Sequence, residues 1–269
     1  MMPTGKRWKT AGRLLRALAM GIATLSVAHA QAQTSPQEAA HGVDIVLVHG
    51  AFVDGSSWSR VIALLQQRGY RVTAVQNPLS SLAADVSATR KVIERQPHKV
   101  LLVGHSWGGA VISEAGNDPH VKGLVYLSAL APDSGESVAQ LLKRLQAPME
   151  GLAPDSHGLI WLDDSRSFGQ VMANDLTTEE VAHLTAVQQP IAAAAFGERI
   201  GHAAWHDKPA WYLVTEDDHA LPTAVQRALA SAMGAQVRSI RSSHLSLLSH
   251  PEFVADLIET AARNVELTP

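Results

Sequence analysis

The feature that most constrains this chain is the segment Gly104-His105-Ser106-Trp107-Gly108, which directly follows an apolar run at residues 100–103. Beyond it, the apolar residues at 109–112 resemble the start of a helix. A buried strand that becomes a helix over so few residues needs a tight turn, and glycines two positions before and after the serine let the two backbones approach closely. The pattern therefore predicts a strand, a sharp turn and a helix, with the Ser106 hydroxyl exposed at the tip.

Short apolar or β-branched runs recur along the chain and predict the strands of one sheet. They lie at residues 44–48, 71–75, 100–103, 121–127, 210–215 and 236–240. Amphipathic segments of helical period separate most of them, and continuous rather than alternating apolar runs are typical of parallel strands covered on both faces. The predicted fold class is therefore α/β, with a mostly parallel, doubly wound sheet in one domain.

The alternation of strands and helices breaks between residues 133 and 204, a stretch longer than a βα connection requires. Within it, Thr177 and Glu180 have the spacing of a capping box that opens a helix. We interpret residues 133–204 as a helical cap inserted into a core formed by residues 43–132 and 205–269. Ligands of open α/β sheets bind at the carboxyl ends of the strands, so the cap is expected to shape a substrate pocket. Candidate lining residues of this pocket are Phe52, Trp161 and Phe168.

The N-terminus has the three parts of a secretory signal peptide. Five basic residues precede a mostly apolar stretch at 17–28, and small residues at 28, 30 and 32 offer cleavage sites. We therefore expect residues 1–30 to be removed, leaving a flexible segment at 31–42 and a periplasmic or secreted protein. The apolar stretch is too short to span a bilayer comfortably, so a transmembrane helix is not expected. The alternative to a signal peptide is an amphipathic N-terminal helix that anchors the protein on a membrane surface.

The net charge and the absence of cysteine limit which ligands and which kinds of site this chain could have. Removing residues 1–30 takes away five basic and no acidic side chains, so 22 Lys and Arg fall to 17 against 25 Asp and Glu, a net charge of about −8. No basic stripe remains to bind nucleic acid or an anionic membrane, and a small neutral substrate fits better. The absence of cysteine excludes disulfides, thiolate nucleophiles and cysteine-ligated metals.

A serine hydroxyl becomes a nucleophile only beside a base that a carboxylate orients. His244 follows the last predicted strand by a short loop, and it is the histidine best placed to act as that base. Three carboxylates follow the strand at 210–215: Glu216, Asp217 and Asp218. Spacing alone does not choose among them, although three adjacent acids cannot all be buried and ionised, so at least two should lie at the surface.

Backbone N–H groups near the serine would stabilise the oxyanion that forms during acyl transfer. One donor should be the N–H of Trp107, which follows the serine. The second should come from the loop after the first strand, where Gly50 allows the chain to turn its next amides inwards. Ala51 is the candidate there, with the neighbouring Phe52 as the alternative.

These motifs together resemble the α/β-hydrolase superfamily, and the closest branch is that of bacterial esterase-like hydrolases related to plant methylesterases and hydroxynitrile lyases. The resemblance covers residues 44–258 and is carried by Val48-His49-Gly50-Ala51, Gly104–Gly109, Thr215-Glu216-Asp217 with Leu221-Pro222, and Ser243-His244-Leu245 with His250-Pro251. It implies that Asp217, five residues before Pro222 and under thirty before His244, is the catalytic acid. It also implies that Ala51 and Trp107 supply the oxyanion-hole amides.

The expected function is that of a serine hydrolase that cleaves small carboxylic esters through an acyl-enzyme, with neither a metal nor an organic cofactor. Ser106 would attack, His244 would move the proton and Asp217 would orient the imidazole. Hydroxynitrile lyases of this branch carry a lysine directly after the catalytic histidine, where this chain has Leu245, so lyase chemistry is disfavoured. The remaining alternatives are a cofactor-free haloperoxidase activity and a ligand-binding protein that keeps the fold without catalysis.

Overall fold

The computed structural model describes residues 41–147 and 152–267. Six parallel strands form one sheet and two short antiparallel strands form another. The strands are β1 (Val43–Val48), β2 (Arg71–Ala74), β3 (Lys99–His105), β4 (Val121–Leu127), β5 (Leu159–Ile160), β6 (Ile191–Ala192), β7 (Ala210–Thr215) and β8 (Gln236–Ile240). All six runs that the sequence indicated form strands of the main sheet, in the order β2-β1-β3-β4-β7-β8, so the predicted fold class is confirmed.

Helices connect the strands and cover the sheet. Those in the described ranges are α1 (Ser59–Gln67), α2 (Leu82–Ile93), α3 (Gly108–Ala115), α4 (Val138–Arg144), α5 (Ser165–Met172), α6 (Thr178–Val187), α7 (Thr223–Ala232), α8 (Ser246–Ser249) and α9 (Pro251–Leu267). Helices α1 and α9 pack together, as do α2 and α3, and both pairs contact the central strands. Every residue of β1 is buried, and β3 and β4 are nearly as buried, which requires layers on both faces of the sheet.

The strand order reverses between β1 and β3, because the chain runs from β1 outward to β2 and then crosses back to the other side of β1. In an open α/β sheet, such a reversal opens a crevice at the carboxyl ends of the two strands. The register pairs Val48 with Gly104, so the loop after β1 and the turn after β3 leave the sheet side by side. A side chain on Gly50 would meet the Cβ atom of Ser106 at 2.8 Å.

Gly104 and Gly108 have no room for a side chain. A Cβ atom on Gly104 would lie 2.6 Å from the carbonyl oxygen of Gly108, and one on Gly108 would collide with the carbonyl oxygen of Val48. The obstructing atoms belong to the backbone, so no rotamer change could relieve the overlap. The glycines are therefore needed for the crossing of strand and helix that the motif predicted.

Elements between β4 and β7 lie outside the main sheet. They include α4, α5 and α6, the β5–β6 pair and two 3-10 helices, at Ala193–Gly197 and Ala204–His206. Thr177 and Glu180 form the capping box that their spacing indicated, and it opens α6. Arg60 of α1 donates to Glu180 of α6 at 2.6 Å, a contact that joins this inserted region to the core. The insertion boundaries at 133 and 204 stay a prediction.

The predicted signal peptide and residues 31–40 lie outside the described residues. Residues 41 and 42, which were expected to be flexible, are described, and His41 stacks on Tyr70 with ring centroids 3.8 Å apart. Across residues 41–147 and 152–267, no helix combines the length and the hydropathy needed to cross a bilayer.

Candidate active site

Ser106 lies at the tip of the turn between β3 and α3 and has a φ of 53°. This left-handed conformation is rare for a residue with a side chain, and it costs about 1–3 kcal/mol unless the surroundings enforce it. The enforcing contacts are backbone hydrogen bonds: Ser106 N–H donates to Leu127 at 3.2 Å, and its carbonyl accepts from Gly109 and Leu130, each at 3.0 Å. Ser106 is partly exposed while its neighbours in the motif are buried, so its hydroxyl is available to a ligand.

His244 lies in the loop after β8, buried, with its Nδ1 atom 2.8 Å from Oδ2 of Asp218. An ionised carboxylate only accepts hydrogen bonds, so Nδ1 carries the proton in this pair. The other ring nitrogen, Nε2, then has a free lone pair. His244 is thus held in the tautomer that a general base requires.

The Asp218 carboxylate is surrounded by hydrogen-bond donors. Its oxygens accept from His244 Nδ1, Thr215 Oγ1, Gln226 Nε2 and the backbone amides of Ala220 and Leu221, all at 2.7–2.9 Å. Burial alone would raise the pKa of Asp218, but the facing His244 and these donors outweigh it and hold the pKa below the usual range. Asp218 is therefore ionised beside the imidazole.

The sequence prediction that Asp217 occupies this position is wrong by one residue. The Asp217 side chain is 51% exposed and accepts from Asn174 at 3.2 Å. The physical reason lies in the amides of Ala220 and Leu221, which point back at a carboxylate two and three residues earlier. Aspartate commonly accepts from backbone amides a few residues later in such a turn, but Asp217 is followed by equally available amides, so the sequence carried no signal that separates the two carboxylates.

His105 holds the backbone of His244 through a hydrogen bond, a contact that the sequence did not predict. Its Nε2 atom lies 2.9 Å from the carbonyl oxygen of His244, and the two rings are 4.8 Å apart. Burial and the neighbouring His244 lower the pKa of His105 to about 3, so its ring is neutral and Nε2 donates to the carbonyl. Ser128 Oγ donates to the same carbonyl at 3.3 Å. The middle residue of the Gly-His-Ser segment thus anchors the loop that carries the candidate base.

The inserted region is tied to the same loop. Asp175, which precedes α6, accepts from the backbone N–H of Ser243 at 3.0 Å and from the Ser242 hydroxyl at 3.1 Å. Leu245 N–H donates to the carbonyl of Met172 at 3.2 Å. Burial would raise the pKa of Asp175, but its serine donors outweigh that effect and lower it. The residues before and after His244 are therefore both held by the insertion.

The candidate oxyanion amides lie around Ser106. In the described ranges, the N–H groups of Ala51, Phe52 and Trp107 have no protein acceptor, and all three residues line the same cavity as Ser106. His49 fixes the first loop, because its Nε2 accepts from the Asn77 N–H at 2.9 Å and its Nδ1 donates to the Gly50 carbonyl at 2.8 Å. Burial lowers the pKa of His49, in keeping with this neutral ring.

The cavity above Ser106 and His244 has a volume of about 420 Å³. Its walls are mainly apolar and include Phe52, Trp107, Leu130, Leu142, Leu162, Val171, Met172 and Phe196. The polar exceptions besides Ser106 and His244 are Gln146 and His219. His219 is held by the carbonyl of Gln170, 2.8 Å from its Nδ1.

Of the three predicted lining residues, the structure brings only Phe52 to the cavity. Trp161 is 40% exposed and donates its indole N–H to Asp155, while Phe168 is fully buried within α5. Met172 and Phe196 lie on the cavity instead. The aromatic residues correctly indicated which part of the chain lies near the cavity. They did not show which side chains face it, because that depends on how the inserted helices pack.

A sequence profile described as the alpha/beta hydrolase family matches residues 45–257. The chain belongs to this family. Both the profile match and the geometry at the strand reversal therefore agree with the resemblance seen in the sequence.

Several proteins of known name are similar to this alpha/beta hydrolase. It is 30% identical to the alpha/beta hydrolase nvfD of Aspergillus novofumigatus, over 81% of this chain and 96% of that protein. It is 25% identical to the putative methylesterase 11 of Arabidopsis thaliana, over 81% of this chain and 63% of that protein. A crystal structure of a pyrethroid hydrolase superposes with a TM-score of 0.70 at 26% identity, over 82% of this chain and 98% of that one.

The different surroundings of Asp217 and Asp218 predict different effects on stability. Asp218→Ala leaves the buried His244 and four further donors without their acceptor, so it should lower the free energy of unfolding by about 3–5 kcal/mol at pH 7. Asp217→Ala should stay close to wild type. Because the pKa of Asp218 is lowered on folding, its contribution is present above the unfolded pKa and is lost as the pH falls through the folded value.

Urea unfolding between pH 7 and pH 3 measures both effects. The gap between wild type and Asp218→Ala should therefore shrink below about pH 4, near the unfolded pKa of aspartate. A gap that is constant with pH, or an Asp217→Ala variant that is the less stable of the two, would contradict this assignment.

Proposed function

We propose that this alpha/beta hydrolase is a serine hydrolase that cleaves small carboxylic esters through an acyl-enzyme intermediate. The observation that carries the proposal is the pairing of His244 Nδ1 with the buried Asp218 carboxylate, beside a cavity that Ser106 also lines. A nucleophile, an imidazole in the right tautomer and an ionised acid are the parts that a Ser-His-Asp triad requires. They follow in the chain order Ser106, Asp218, His244, which is the order usual for this fold.

In the first step, the Ser106 hydroxyl attacks the carbonyl carbon of the ester and His244 Nε2 takes its proton. The imidazolium is stabilised by Asp218, which stays ionised. His244 then gives the proton to the alkoxide as the carbon–oxygen bond breaks, so the alcohol leaves and an acyl group remains on Ser106. Water attacks this acyl group, again through His244, and releases the carboxylic acid.

The tetrahedral intermediates of both steps carry a negative oxygen. The N–H group of Trp107 and that of Ala51 are the donors we assign to it, with Phe52 as the neighbouring alternative. Donors already held in place cost no reorganisation during the reaction, and removing one such donor costs about 3–4 kcal/mol of transition-state stabilisation in well-studied enzymes.

The composition of the cavity supports a small, neutral substrate. Its described lining residues include no Lys or Arg, so no permanently charged cation there would offset the burial of an anionic group on the ligand. Leu245, buried next to His244, supplies no cation for a cyanide leaving group, which favours ester hydrolysis over cyanohydrin cleavage. Among the relatives, one is named a methylesterase and one a pyrethroid hydrolase, in agreement with a hydrolytic role.

Replacement of the nucleophile tests the proposal. Ser106→Ala should lower kcat for p-nitrophenyl acetate by at least about 10⁴-fold, because it removes the hydroxyl that forms the acyl-enzyme. Asp218→Asn should also lose most activity, since an amide no longer fixes the tautomer of His244, while Asp217→Asn serves as the matched control and should retain it. Release of p-nitrophenolate, with circular dichroism to verify folding, gives the comparison. A wild type without esterase activity, or a Ser106→Ala variant of equal activity, would refute the mechanism.

We further propose that the protein is exported and loses its first 30 or 32 residues. The support is the charged start, the apolar stretch and the small residues that end it. Expression of the full chain in a bacterial host should yield a periplasmic or secreted protein that begins at Gln31 or Gln33. N-terminal sequencing of that fraction measures the start, and export with Met1 still present would disprove cleavage.

A further inference from the structure

Asp85 is a buried carboxylate that the proposed reaction does not use. It lies in the first turn of α2 and its side chain is fully buried. Within the described ranges it forms no ion pair, and two N–H groups compensate it instead: Leu79 N–H donates to Oδ1 and the Trp107 indole N–H donates to Oδ2, each at 2.8 Å. A buried carboxylate without a cation is unfavourable in a packed core, so this one calls for an explanation.

The Trp107 indole connects Asp85 to the candidate active site. Trp107 follows Ser106, its backbone N–H is a proposed oxyanion donor, and the residue is one of those that line the cavity, with its side chain almost completely buried. The indole packs against the ring of Phe196, with centroids 5.0 Å apart and planes inclined by 53°. Phe196 also lines the cavity, and we call the packed pair of Trp107 and Phe196 at its border the Trp107–Phe196 wall. Asp85 holds one edge of that wall through the indole nitrogen.

The Leu79 N–H group connects Asp85 to the same wall through β6. Leu79 has a φ of 54°, and Asp85 Oδ1 fixes its strained backbone through the N–H group. The carbonyl of Leu79 accepts from Ala192 N–H of β6 at 2.9 Å, directly before the 3-10 helix that carries Phe196. One carboxylate therefore orients the indole and, through Leu79, the strand that positions Phe196.

We infer that Asp85 is a positioning residue that sets the Trp107–Phe196 wall and thereby determines how well the enzyme accepts esters with an aromatic ring beside the scissile carbonyl. Such a ring packs well on other rings only in edge-to-face or offset geometry, so the orientation of the wall matters for it. An ester with a methyl group in place of the ring contacts the wall much less, so its turnover should depend little on how the wall is oriented. The inference rests on the proposed ester hydrolysis and adds a determinant of its substrate preference.

The test compares esters that differ only in one aromatic ring. One series varies the acyl group on a constant p-nitrophenol, from acetate to phenylacetate. The other varies the alcohol on a constant acetyl group, from ethanol to benzyl alcohol. Asp85→Asn places an amide NH₂ against one of the two donors, and in at least one series it should lower the aromatic-to-aliphatic ratio of kcat/KM by about tenfold or more.

Trp107→Phe keeps the backbone N–H and an aromatic ring but removes the indole donor, and it should lower the same ratio even if Asp85→Asn fails to fold. The double variant should fall no further than the single ones, because the two side chains act through one hydrogen bond. Asp44→Asn is the control for a buried carboxylate remote from the cavity: Asp44 lies near the start of β1, accepts from His98 and pairs with Arg71 at 3.5 Å. It should leave the ratio unchanged whatever it does to stability.

A spectroscopic measurement separates this inference from the proposed function. Burial raises the pKa of Asp85 to about 6, and Glu198 is the charged group that also acts on it. The indole Hε1 resonance of Trp107, assigned by its absence in Trp107→Phe, should therefore move as the pH falls from 8 to 4, and this movement should vanish in Asp85→Asn. Unchanged ratios in both ester series would overturn the inference even if the resonance titrates. A wild type that cleaves no ester refutes the proposed function instead, and the resonance then still reports whether the contact exists.

Discussion

The close crossing of β1, β3 and α3 is the constraint on which the rest of this structure depends. Gly104 and Gly108 let backbone atoms lie where any side chain would collide, so strand and helix cross closely on either side of the serine. Ser106 consequently adopts a left-handed conformation that hydrogen bonds to Leu127, Gly109 and Leu130 maintain. The strained serine is thus a product of backbone packing, and its exposure follows from the same geometry.

The second determinant is electrostatic. Five donors converge on Asp218, which makes an ionised carboxylate favourable in a buried position and fixes the proton of His244 on Nδ1. The loop that bears His244 is supported by His105 below it and by Asp175 and Met172 of the insertion beside it. The insertion therefore does more than cover the cavity, because its packing also fixes the position of the imidazole.

The sequence predicted the six strands, the turn at Ser106 and the position of His244 because these depend on local patterns: apolar runs, a glycine spacing and a loop that follows a strand. It predicted Asp217 as the catalytic acid where the structure pairs Asp218 with His244, because the outcome depends on which carboxylate the amides of Ala220 and Leu221 face. It also failed at Trp161 and Phe168, because the packing of an irregular insertion decides which aromatic rings meet the cavity. The partnership of Asp85 with Trp107 joins residues 22 positions apart and had no local signal.

The central claim is that Ser106 is a nucleophile activated by His244, and covalent trapping measures that reactivity without reference to any particular substrate. The protein would be treated with diisopropyl fluorophosphate, digested and analysed by mass spectrometry. The account predicts one diisopropylphosphoryl group per chain, on Ser106, and almost none in a folded His244→Ala variant. Modification of another residue in place of Ser106, or equal labelling with and without His244, would contradict it.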